Sequence, residues 1–170
     1  MHGALATHLR QLLVYHQWAY ERILEAVAPL DETAYRAPRG LFFGSLHDTL
    51  NHLAVVDRIW FARVQREPWQ FERLDAEAAP DRAGLEAFLK EGVDAWRLWL
   101  DKQTDATLGS QLDYRNMAGQ VHRQSLANIV QHLVNHGTHH RGQMSAALTA
   151  IGQKAPLLDY IYFLPNRMDT

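Results

Sequence analysis

The chain has no cysteine among its 170 residues. That absence removes disulfides, thiolate nucleophiles and thiolate metal ligands together. Any metal must be held by nitrogen and oxygen donors, and any thiol chemistry must take its thiol from a substrate or cofactor. Long apolar runs are missing too, since none approaches the ~18 residues of a membrane span. No basic surplus exists: 17 Lys and Arg stand against 19 Asp and Glu, with a formal net charge of −2. Nucleic acid and membrane are therefore not expected as partners. The opening "MHGALATHLRQLL" lacks the basic start and small-residue cleavage site of a signal peptide, so a cytoplasmic location is expected.

What is present describes one ordinary domain over 1–170, with 47% hydrophobic and 21% charged residues. Four segments carry apolar residues at three-and-four spacing, predicting helices over about 5–27, 45–66, 81–101 and 125–151. Ser45 and Asp48 form an approximate capping box, and Pro29, Pro68 and Pro156 lie beyond helix ends. The stretch "QLDYRNMAGQVHRQS" alternates on either side of the turn-like "NMAG", which predicts a short hairpin between the third and fourth helices. The fold class expected is all-α, a four-helix bundle with one strand-containing connection.

Histidine is concentrated in one place. "HLVNHGTHHRGQ" puts His132, His136, His139 and His140 into nine residues of a chain with ten histidines. At about 100° per residue, His132 and His140 lie roughly 40° to either side of His136. Ile129, Leu133, Gln143 and Ala147 share that sector, so the three rings are expected on the core-facing stripe, with His139 at its edge. A solvated face would bring Lys and Glu instead. Buried imidazoles each need a partner, and a metal serves several at once.

The pair His136 and His140 has the spacing of HExxH peptidases, but Gly137 stands where the catalytic Glu would be. Peptidase chemistry is thereby disfavoured. Gly137 and Gly142 inside a helix suit a close approach of backbone or ligand. A third ligand must come from another helix: His52, flanked inward by Val56 and Ile59, is the better placed, and His16 is the alternative. His47 points about 140° away from His52. His2, His8 and His122 read as surface residues. Three imidazoles leave coordination positions open, the pattern of catalytic sites. An all-nitrogen set suits Zn, Ni, Fe or Cu and does not by itself select among them; a divalent metal, Zn or Ni before Fe or Cu, is expected.

The phrases "FFGSLHDTLNHLAVVDRIWFARV", "HLVNHGTHHRGQMSAAL" and "LDYIYFL" closely resemble the DinB-like family of helical metalloproteins, across essentially the whole chain. The resemblance implies an up-down-down-up bundle, often dimeric, holding a divalent metal. It implies His52 as ligand from an "LxH" motif, Leu50-Asn51-His52. It implies His136 and His140 from "HxxxHRxQ", followed by Arg141 and Gln143. His132 has no ligand role in that pattern and is expected to support the site. Related branches are thiol-dependent S-transferases, a maleylpyruvate isomerase and an iron-dependent domain of ergothioneine synthesis.

The function expected is a metal-dependent enzyme, such as a transferase joining a low-molecular-weight thiol to an electrophile. The alternative is a non-catalytic stress-response protein that binds metal or a small molecule. Trp60 and Tyr20 are candidate pocket walls. Arg141 is a candidate receptor for a substrate anion, and Gln143 and Asp159 are candidates to orient ligand imidazoles. A homodimer is expected from the resemblance.

Overall fold

The computed structural model describes residues 3–164. The expected surface position of His2 lies outside them. Four long helices dominate: α1 (Ala4–Val27), α3 (Leu46–Gln65), α4 (Arg82–Leu100) and α6 (Leu126–Ala150). Three short helices, α2 (Glu32–Arg36), α5 (Asp105–Gly109) and α7 (Tyr160–Phe163), fall where no periodicity could announce them. Strands β1 (Gln111–Arg115) and β2 (Val121–Ser125) pair antiparallel, as "QLDYR" and "VHRQS" predict. Among the described residues no helix is long and apolar enough to cross a membrane.

Local chemistry sets the helix ends. The Ser45 hydroxyl accepts from the Asp48 backbone N–H at 3.0 Å and donates to the Asp48 carboxylate at 2.6 Å. The Asp81 and Ser125 side chains likewise accept from the backbone N–H groups of Gly84 and Asn128 at the starts of α4 and α6. At its C-terminus α3 stops on Arg66 in the left-handed region, φ 60°.

Helix α1 packs on α4 and α6, and α3 packs on the same two. Two apolar clusters lie between them. One joins Ile23 and Val27 to Leu46, Leu50, Leu85, Leu89, Met144 and Leu148. The other joins Leu9 and Leu13 to Val64, Trp96, Leu100, Ile129 and Leu133.

One expectation about α6 is corrected. Its buried residues are Ile129, Val130, Leu133, Val134, Gly137, His140, Arg141, Met144, Ala147 and Leu148. That face is centred roughly 90° around the helix from His136. The cause is that α6 must bury itself against both α1 and α3. His136 therefore sits at the α3-facing rim, half-buried, and His132 is exposed rather than inward.

Candidate metal centre

His52 on α3 and His136 and His140 on α6 converge, with one ring nitrogen from each lying within 4.8 Å of the others. His136 Nε2 is 3.3 Å from His52 Nε2 and 3.2 Å from His140 Nε2. Those spacings match the edge of a tetrahedron built on Zn–N bonds of about 2.0–2.1 Å, roughly 3.3 Å.

The outer nitrogens carry the chemical argument. A carbonyl oxygen can only accept, so His52 Nδ1–H donates to the Leu74 carbonyl at 2.8 Å. His140 Nδ1–H donates to Gln143 Oε1 at 2.9 Å. Both protons are thus spent on the outer side, and a neutral ring then presents a lone pair at Nε2. Two lone pairs face the same His136 nitrogen, which has one proton at most to offer. A cation resolves that conflict, and the donor set fits one.

The surroundings keep the rings neutral. Burial pushes His52 down to about 4. Burial, followed by the neighbouring His140 and His52, pushes His136 to about 3. Burial also holds His140 below the usual imidazole value, against the opposing effect of its bond to Gln143.

Three features were not legible as site residues. Phe43 stacks on His52 at 3.7 Å between centroids and 18° between planes, roofing the triad. Its loop turns through Gly44 at φ +97°, a conformation that side chains rarely adopt. Asn51 clamps the loop after α3, donating to the Ala76 carbonyl and accepting from Ala78 N–H at 2.7 Å. That clamp holds the segment that carries the Leu74 carbonyl. A cleft of about 710 Å³ adjoins the roof, lined by Leu41, Phe42, Phe43, Leu74 and Met117 among others.

The remaining candidates are distributed around the triad. Gln143 does bond a triad imidazole, and its Nε2 also donates to His139 at 3.2 Å. Trp60 stacks edge-on against His132 at 5.2 Å, and His132 lies 5.7 Å from His136. Asp159 is exposed at the start of α7 and makes no bond to a triad ring among the described residues. The structure does not bring His16 or Tyr20 to the triad. Arg141, fully buried, donates to His16 Nδ1 at 3.1 Å and to Thr138 Oγ1 at 3.2 Å. These bonds hold it between α1 and α6, and it also lines a cleft of about 570 Å³ with Tyr15, Leu158 and Asp159. Tyr20 packs on the His16 ring at 4.6 Å. A Cβ at Gly137 would collide with His16 Cε1 and Arg141 Nη1, which explains that glycine. Gly142 has nothing within 4 Å and gains no such explanation. His47 is buried against Tyr35, away from the triad, and His8 and His122 are exposed.

Fold and site together define a helical protein with a three-histidine group suited to a metal ion. The DinB family model matches residues 5–168, and the chain belongs to the DinB family. It is 24% identical over 168 residues to "Protein DinB" of Bacillus subtilis (strain 168), covering 91% of this chain and 92% of that one. A crystal structure of a DinB-like protein from Bacillus cereus ATCC 10987 shares the fold. Its TM-score is 0.57 at 16% identity, covering 86% of this chain and 94% of that chain.

Proposed function

We propose that His52, His136 and His140 hold a divalent cation through Nε2, and that the centre serves a metal-dependent reaction on a small molecule. The observation that carries this reading is the pair of fixed tautomers: Leu74 and Gln143 take the Nδ1 protons and turn both Nε2 lone pairs toward His136. Zn or Ni is the ion favoured for three imidazoles, with Fe or Cu as alternatives. When bound, such an ion supplies Lewis-acid polarisation and stabilises a deprotonated ligand.

The protein's own residues do the rest. Gln143 and the Leu74 carbonyl orient imidazoles, Phe43 excludes water from one side, and the cleft beside it admits a ligand. The reaction class proposed is transfer of a low-molecular-weight thiol. Sulfur bonds to an electrophilic carbon, the leaving group departs with its electron pair, and the thiol proton passes to solvent. The absence of cysteine is compatible with an external thiol and does not demand one. Opposite ends of α1 and α6 relative to α3 and α4 share each core cluster, which supports an up-down-down-up bundle. A cytoplasmic homodimer completes the proposal.

The test is conjugation of a panel of cellular thiols to monochlorobimane by Zn- or Ni-loaded protein. The expected result is metal-dependent turnover that His136→Ala abolishes. Stoichiometric metal without turnover by any thiol would reject the transferase and leave a non-catalytic binder.

A further inference from the structure

Arg63 on α3 is only 8% exposed, yet it has no counter-ion among the described residues. Its Nε lacks a hydrogen-bond partner among the described residues. None of the ion pairs among the described residues includes it. Among the other buried or partly buried arginines, Arg10, Arg58 and Arg82 pair with Asp101, Glu91 and Glu32, while Arg141 and Arg39, also without an ion pair, donate to His16 and Thr138 and to the Ala34 carbonyl. Among the described residues Arg63 has neither an ion pair nor such a hydrogen-bond partner, and a buried charge left uncompensated is costly, so it calls for one.

The guanidinium is held by aromatic rings instead. Its Cζ lies 4.5 Å from the Trp60 centroid, 5.2 Å from Trp69 and 5.2 Å from Tyr114. Stacking occupies the faces of a guanidinium. Its N–H donors lie in the plane and match the two oxygens of a carboxylate or phosphate.

The position connects to the triad. Arg63 is eleven residues beyond His52, about 20° away around the helix and about 16 Å along it. Trp60 and His132 bridge that interval, ring by ring, from Arg63 to His136. The β1–β2 hairpin follows the same line: Tyr114 covers Arg63 and Trp60, while Met117 in the turn reaches the cleft beside Phe43.

We propose that Arg63 receives an oxyanion, carboxylate or phosphate, at one end of an elongated small-molecule ligand whose other end sits at the histidine triad. The placement of that other end rests on the proposed metal centre. Anion binding at Arg63 does not.

Metal-free protein is therefore titrated with glutarate, inorganic phosphate and neutral glutaramide, followed by calorimetry and tryptophan fluorescence. The expected result is saturable binding of an anion and none of glutaramide, the tighter anion identifying the oxyanion. Arg63→Gln should weaken that binding at least tenfold. Arg63→Lys keeps the charge without the planar fork and should weaken it several-fold. Circular dichroism and metal content should match the parent protein. Equal anion affinity in whichever variants fold, or no saturable anion binding by the parent, would overturn the proposal. So would a changed oligomeric state at unchanged anion affinity, because a carboxylate of a second copy would then be the partner. Loss of metal binding in the parent with anion binding intact would instead defeat the metal centre.

Discussion

A single imidazole nitrogen decides this site. His52 and His140 each have one nitrogen committed to an oxygen, which leaves the other as a donor of electrons. Gln143→Leu removes one commitment while keeping all three rings. It should weaken Zn binding about 10- to 100-fold without abolishing it, as measured by chelator competition. The three histidines were legible because helical spacing places His136 and His140 together and because Val56 and Ile59 put His52 on an inward face. The Leu74 carbonyl was not legible, because a backbone oxygen leaves no mark in residue identity. Arg141 was half legible: its proximity to the site follows from the "HRGQ" motif. Its direction, into His16 and Thr138, depends on which side of α6 faces α1.

Elements explain how such precision is held. Helix α3 supplies His52 and, one residue earlier, the Asn51 that pins the loop carrying Leu74. Asn51→Ala should therefore lower metal affinity through a residue that contacts no metal, and lower stability by about 1–3 kcal/mol. Dialysis against Zn and urea denaturation measure the two effects. Unchanged affinity would mean the loop holds its place without the clamp. The hairpin and long helices were legible from alternation, capping and period. The rotation of the buried face of α6 was not, because an apolar stripe is wide and its centre depends on two packing partners. That rotation leaves the triad at a rim beside a cleft, where a ligand can approach.

At the scale of the whole molecule, buried titratable groups set opposing pH dependences. His52 and His136 fall to about 4 and about 3 when folded, from 6.5. The unfolded chain then takes up protons first, so their contribution is complete above about pH 6.5 and is lost progressively as pH falls through about 4 and about 3. Asp57 runs the other way. Burial pushes it up to about 7 from 3.8, against the pull of Arg58. The folded chain then binds the extra proton, and stability declines as pH rises from about 4 to 7. The two windows overlap, so variants must separate them. Asp57→Asn should gain stability over the parent at pH 8 relative to pH 5, in metal-free urea titrations. An equal change at both pH values would show that the carboxyl titrates normally.

The central claim is a cation held by three imidazoles. Elemental analysis of native protein, beside His52→Ala, His136→Ala and His140→Ala purified identically, tests it most directly. The account predicts about one divalent ion per chain in the parent and a severe loss in each variant, all with matching helix content by circular dichroism. Metal content unchanged in all three variants would contradict it.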